Sequence, residues 1–132
     1  MPQRILTGAT IVLVEDHDLI RSLISEFLRR QGAKVIDCSN AVEALDAVTQ
    51  HRPDVVLSDI NLPGADGFQL LQNIRRLDAE MGGNVPVIAM SALGATVTKH
   101  RSSGASFHSY LGKPFTPAQL LQTIEAALRP QS

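Results

Sequence analysis

Short apolar runs alternate along the chain with longer amphipathic ones. Ile11-Val12-Leu13-Val14 is continuous and rich in β-branched residues, the pattern of a strand buried on both faces. Leu19, Ile20, Leu23, Ile24, Phe27 and Leu28 follow at helical spacing, and Gly32 stands where a helix ends on a left-handed residue. A second strand is predicted at Lys34–Asp37. Asn40 is placed to cap the next helix, with Glu43 in capping-box position and Ala41, Ala44, Leu45 and Val48 as its buried stripe. Pro53 stops that helix, and Val55-Val56-Leu57 reads as the third strand. After a loop at Asp59–Gly67, a helical face of Phe68, Leu71, Ile74 and Leu77 appears. Gly82-Gly83 breaks the chain before the fourth strand, Val87-Ile88-Ala89-Met90. Gly94–Ser103 predicts only a short helix, because Thr96, Thr98, Ser102 and Ser103 are poor helix formers. Phe107–Leu111 is the fifth strand. Thr116-Pro117-Ala118-Gln119 then supplies a cap, a proline at the first helical position and a capping-box glutamine for a last helix bearing Leu120, Leu121, Ile124, Ala127 and Leu128.

Five strands alternating with five helices imply βαβ crossovers and a parallel sheet covered on both faces. Ligands of such sheets bind outside the carboxyl ends of the strands, at the topological switch point. The 132 residues suit one domain, with 44% apolar and 19% charged residues and no low-complexity stretch. A net charge of −1 with interspersed signs offers no basic footprint, so direct nucleic-acid binding is not expected. No apolar run approaches the ~20 residues of a membrane helix, and the leader Met1 to Leu6 is too short and polar for a signal peptide. Membrane insertion and export are therefore not expected. The single cysteine, Cys38, reads as a small apolar filler beside a strand, and its solitude fits a reducing, cytoplasmic setting.

The strand ends carry the chemistry. Glu15 and Asp16 follow the first strand, Asp59 the third after Ser58, Ser91 the fourth, and Lys113 the fifth by two residues. Three carboxylates in one crevice repel one another unless a cation sits among them, and hard oxygen ligands suit Mg²⁺ (or Mn²⁺). Taken singly, each residue has an ordinary reading: Asp16 or Asp18 as a helix cap, Ser91 as a loop hydroxyl, Lys113 as a solvated charge. Together they match the needs of phosphoryl transfer to a carboxylate, in which positioning and cations supply most of the catalysis. On this reading Asp59 is the nucleophile, and the metal, Lys113 and the Ser91 hydroxyl each meet one equatorial oxygen. His17 reads as an exposed loop histidine, and His51, His100 and His108 show no ligand spacing.

At these residues the chain resembles the receiver domain of two-component response regulators. The motifs are Val14-Glu15-Asp16, Ser58-Asp59-Ile60-Asn61-Leu62-Pro63-Gly64-Ala65-Asp66-Gly67, Ser91-Ala92 and Tyr110-Leu111-Gly112-Lys113-Pro114-Phe115. The similarity covers residues 10–129, leaving 1–9 as a leader or linker and 130–132 as a tail. It implies a flavodoxin-like, doubly wound (βα)5 fold with strand order 2-1-3-4-5. It implies that Asp59 takes a phosphoryl group from a histidine kinase or a histidine phosphotransfer protein, and that the domain catalyses its own phosphorylation and slow autodephosphorylation without being an enzyme toward outside substrates. It also implies Mg²⁺ held by Asp16, Asp59 and the backbone carbonyl of Asn61, with Glu15 acting mainly through water. Ser91 and Tyr110 are the implied switch residues, Ser91 turning toward the phosphoryl group and the Tyr110 ring moving inward behind it. The Lys113–Pro114 bond is typically cis in the family, aiming Lys113 at the site. The entry Leu6 to Asp16 is similar to that of receivers ending hybrid sensor kinases, so the domain is either part of a longer protein or free-standing.

The chain departs from the family pattern at several points. Glu15 stands for the commoner Asp, and Ser91 for the commoner Thr. The stretch from Gly104 to Lys113 is longer than usual, which leaves the usual fourth helix, dimerisation through that face and the oligomeric state open. Asn61 and Leu93 sit where turnover is tuned; an apolar Leu93 is expected to exclude the hydrolytic water and prolong the phosphorylated state. Rival readings fare worse. An aspartate-nucleophile phosphatase needs a second carboxylate where Asn61 stands, and a flavin carrier needs a Ser/Thr/Gly-rich phosphate loop where Glu15-Asp16-His17-Asp18 stands. A pseudo-receiver that binds partners without phosphorylation is opposed by the intact Asp16, Asp59 and Lys113.

Overall fold

The computed structural model describes residues 5–62, 66–91 and 107–129. Its elements are β1 (Thr10–Val14), α1 (Asp18–Arg30), β2 (Lys34–Cys38), α2 (Ala41–His51), β3 (Val55–Asp59), α3 (Gly67–Arg75), a 3-10 turn (Ala79–Met81), β4 (Val87–Ser91), β5 (Ser109–Gly112) and α4 (Pro117–Leu128). All strand pairs are parallel, in the order β2-β1-β3-β4-β5. This is the flavodoxin-like doubly wound fold predicted. The helix predicted at 94–103 lies outside the described residues.

The two-residue period of the strands divides the interior into two cores. Val12, Val14, Val56, Val87 and Ala89 pack on one face with residues of α2 and α3, among them Ala44, Val48, Leu71 and Ile74. Ile11, Leu13, Leu57, Ile88 and Met90 pack on the other with Ile24, Leu28, Leu120 and Ile124 from α1 and α4. Each fully buried Val, Leu, Ile or Met side chain among these contributes roughly 1.5–3 kcal/mol, so both faces of the central strands must stay covered. Cys38 fills the first core; burial, followed by the nearby Glu43 and Asp37 charges, pushes its thiol up to about 12.

Several boundaries differ from the sequence reading. Asp59 and Ser91 are the last residues of β3 and β4 rather than followers of them, and Lys113 comes directly after β5. The ladder continues because main-chain groups make it: Asp59 pairs with Met90 and Ser91 with Gly112, whatever their side chains. The α1 stripe is narrower than its six apolar residues suggest. Leu19 and Leu23 are 63% and 59% exposed, since they lie roughly 100–140° around the helix from the buried Ile24. The α1 cap is His17, whose Nδ1 accepts from Ile20 N at 3.4 Å, rather than Asp16 or Asp18.

The other caps follow the sequence closely. Asn40 accepts from Glu43 N at 2.9 Å, although the Glu43 carboxylate turns back to Ser39 N and Oγ rather than to Asn40 N. Those two bonds hold the exposed Glu43 carboxyl below its usual range, the backbone bond first. Thr116 and Gln119 form both arms of the α4 capping box.

Candidate functional site

Glu15 emerges from the end of β1, where its backbone N–H donates to the Cys38 carbonyl at 3.0 Å. Its side chain is 2% exposed and both oxygens are engaged: Oε1 accepts from Lys113 Nζ at 2.9 Å, and Oε2 from the His17 backbone at 3.1 Å. Asp59, 7% exposed, accepts from Lys113 Nζ at 2.9 Å through Oδ2 and from Asn61 N at 3.1 Å through Oδ1. Lys113 thus reaches across from β5 to both β1 and β3. Its own backbone N–H is fixed to the Ser91 carbonyl at 2.7 Å, and the Lys113–Pro114 bond is cis. Asp16 is exposed and completes a cluster in which oxygens of Glu15, Asp16 and Asp59 all lie within 4.8 Å of one another.

Why the chain folds this way locally is clearest at Gly67. A Cβ there would stand 2.7 Å from the Asp59 carbonyl oxygen and 2.9 Å from Ile60 Cα. Without a side chain, Gly67 N donates to the Ile60 carbonyl at 2.7 Å, so α3 starts hard against the end of β3. Asp66 caps that start by accepting from Gln69 N at 2.9 Å. The Asp59–Asn61 turn is thereby held between two rigid elements.

Burial by itself would pull the Lys113 ammonium down. The bonds to Glu15 and Asp59 and their charges outweigh it, and the net direction is up, so Lys113 stays charged. One ammonium still faces three carboxylates, an excess of negative charge in a half-buried cleft. All the donors are hard oxygens, two held by the fold and one open to solvent at Asp16. That set fits Mg²⁺, which takes few carboxylates and keeps several waters.

The predicted residues fall as follows. Glu15, Asp16, Asp59, Asn61 and Lys113 converge. Ser91 is buried at the end of β4, one strand over, with its backbone tied to Lys113. Tyr110 lies partly exposed on β5, its ring edge-on to Phe107 at 5.6 Å, and Phe107 in turn meets Phe68 at 5.1 Å. Leu93 lies outside the described residues. The sequence reading missed Arg21, which donates to the Glu15 carbonyl at 2.9 Å and to Asp18 at 2.7 Å. A cation one turn into the helix behind two adjacent acids was the available signal.

The model of the response regulator receiver domain matches residues 11–125. The chain belongs to that family. It is 31% identical over 118 residues to the sporulation initiation phosphotransferase F of Bacillus subtilis, covering 89% of this chain and 92% of that protein. It is 30% identical over 124 residues to the phosphate regulon transcriptional regulatory protein PhoB of Pseudomonas aeruginosa, covering 94% of this chain and 53% of PhoB. The chain thus spans about half the length of such curated relatives. Among solved structures, the receiver domain of a Pseudomonas aeruginosa sensor histidine kinase superposes with a TM-score of 0.82 at 30% identity, over 92% of this chain and 98% of that one. That structure has magnesium coordinated in its active-site cleft. This receiver domain therefore serves two-component signalling. No helix among the described residues is long and apolar enough to cross a membrane.

Proposed function

We propose that Asp59 is the phospho-acceptor of this receiver domain and that the transfer needs Mg²⁺ held by Asp16, Asp59 and the Asn61 carbonyl, with Glu15 behind them. The observation that carries this is the Asp59 carboxylate itself: buried, oriented through one oxygen by Asn61 N–H and through the other by Lys113, and within 4.8 Å of two further carboxylates. An Asp59 oxygen forms a bond to phosphorus as the donor's imidazole–phosphorus bond breaks, and the electron pair returns to the histidine nitrogen. Lys113 neutralises charge on the transferred group, and the Ser91 hydroxyl, at the neighbouring strand end, is the third partner. Bound Mg²⁺ would supply the positive charge that lets a phosphoryl group approach three carboxylates.

The donor is a phosphohistidine on a histidine kinase or a histidine phosphotransfer protein. The domain catalyses its own phosphorylation and slow autodephosphorylation, with Asn61 and Leu93 setting the lifetime and Ser91 and Tyr110 relaying the change. It functions in the cytoplasm, with residues 10–129 as the receiver unit onto whose core Leu6 packs. Incubation with Mg²⁺ and acetyl phosphate, followed by intact-mass measurement, tests the central claim. One phosphoryl group should add in a Mg²⁺-dependent way and be absent in Asp59→Asn. Addition to the variant at the wild-type level would overturn the assignment.

A further inference from the structure

The end of the sheet opposite the acidic rim carries a groove of about 440 Å³, lined by Asp54, Arg75, Asn84, Pro86, Phe107, His108, Ala127, Leu128 and Arg129. It lies where the chain enters β3, β4 and β5 and leaves α3 and α4. Its volume falls in the range of small-ligand clefts, roughly 300–1,000 Å³.

Its charge balance is unusual. Arg75 is half-buried, and that burial lowers its pKa, the sign of a cation short of compensation. One of its N–H groups donates to the Gly83 carbonyl at 2.9 Å, which closes the connection from α3 to β4. The rest of the guanidinium has no partner among the described residues. Arg129 makes no hydrogen bond or ion pair there either. Among the described residues no carboxylate lies within ion-pair distance of either arginine, and the residues outside that set contain no Asp or Glu. The one acid in the groove, Asp54, is committed to Thr10 N–H at 2.8 Å. A half-buried charge without a partner is costly unless something pairs with it. The His108 ring and Asn84 amide add donors on the same wall, and Phe107, Pro86 and Leu128 add an apolar floor.

We infer that this groove is a binding site for a small dianionic oxyanion, gripped by the Arg75 and Arg129 guanidinium groups with help from His108 and Asn84. Guanidinium forks match both phosphate and carboxylate oxygens, so these are the two sources to separate. The site is independent of the Asp59 reading, because it shares no residue with the acidic rim.

The test is an NMR titration of the ¹⁵N-labelled chain in Mg²⁺-free buffer, with ionic strength held constant by chloride. Inorganic phosphate is the probe in one arm and succinate in the other. Saturable shifts should appear at His108, Asn84 and the arginine Nε–H signals. Binding should weaken about tenfold in Arg75→Gln and in Arg129→Gln, as expected for loss of one charge-assisted contact. Arg129→Gln decides the matter if Arg75→Gln fails to fold, since Arg129 carries no structural bond. Saturation by phosphate alone, succinate alone or both supports the site and names its head group. Linear shifts in both arms, or saturation unchanged in Arg129→Gln, would overturn it.

Discussion

Arg21 holds Glu15 from behind: its Nη1 donates to the Glu15 backbone carbonyl at 2.9 Å, while Nη2 grips Asp18 at 2.7 Å. The two residues bracket the turn from β1 into α1, and that turn carries the acidic pair. Arg21 touches none of the three carboxylates of the cluster, yet it sets where Glu15 and Asp16 stand. A charge-assisted hydrogen bond of this kind contributes about 1.5–3 kcal/mol. Arg21→Ala is therefore expected to weaken Mg²⁺ affinity about tenfold, with Arg21→Lys recovering part of the loss. Calorimetric Mg²⁺ titration reads this directly. Unchanged affinity in Arg21→Ala would remove Arg21 from the positioning of the site.

Lys113 gives the site a defined pH response. Its folded-state pKa is raised, so the protonated form is the one the fold favours. The stability this provides is fully present below the unfolded lysine value and is lost as pH rises through the higher folded value. Urea denaturation without Mg²⁺ should show Lys113→Met less stable than wild type by about 2 kcal/mol at neutral pH. That gap should stay flat to about pH 9 and close only in strongly alkaline solution. A gap that persists unchanged in strongly alkaline solution would remove the Lys113 ammonium as its origin.

How far the sequence disclosed this molecule depends on what each residue answers to. Ile11 to Val14 were legible as a buried strand because four consecutive apolar residues have only that use in a two-sided sheet. Thr116 and Gln119 were legible because capping is local chemistry over three residues. Glu15, Asp16, Asp59 and Lys113 were legible as a group because parallel topology puts strand ends on one rim. Leu19 and Leu23 share the helical spacing of the core residues of α1 yet stay exposed. Helical spacing records which residues share a face, but not how wide a face the sheet covers. His17 as the α1 cap was hidden for a related reason: two aspartates flanked it, and the choice rests on the direction in which Glu15 pulls the loop, through its bond to His17 N–H. The Arg75 groove was illegible, because it joins residues from five segments that share no pattern.

Ser25 is a buried residue of α1 whose hydroxyl has no hydrogen-bond partner among the described residues. An unsatisfied buried polar group costs about 1–3 kcal/mol, whereas a methyl in the same place costs nothing for desolvation. Ala is also the better helix former by a few tenths of a kcal/mol. Ser25→Ala is expected to stabilise the domain by about 1 kcal/mol, read as a higher urea midpoint with unchanged slope. A lower midpoint would mean that the hydroxyl has found a partner in solution, such as an internal water.

Leu6 precedes β1, in a stretch whose sequence suggests only a leader, yet it is 1% exposed and belongs to the core beneath α1. Its backbone N–H donates to the Gln31 carbonyl at 2.8 Å, and Ala9 N–H donates back to the Leu6 carbonyl at 3.0 Å. The chain is thus folded over the end of α1 before the first strand begins. Truncating a buried leucine removes its transfer energy and leaves a cavity, together about 2–5 kcal/mol. Leu6→Ala should lower stability by an amount in that range, while Ile5→Ala, at a position exposed to solvent, should change it by less than about 0.5 kcal/mol. Both are measurable by urea denaturation at fixed Mg²⁺. Equal, small effects at the two positions would show that residues before Thr10 do not dock in solution.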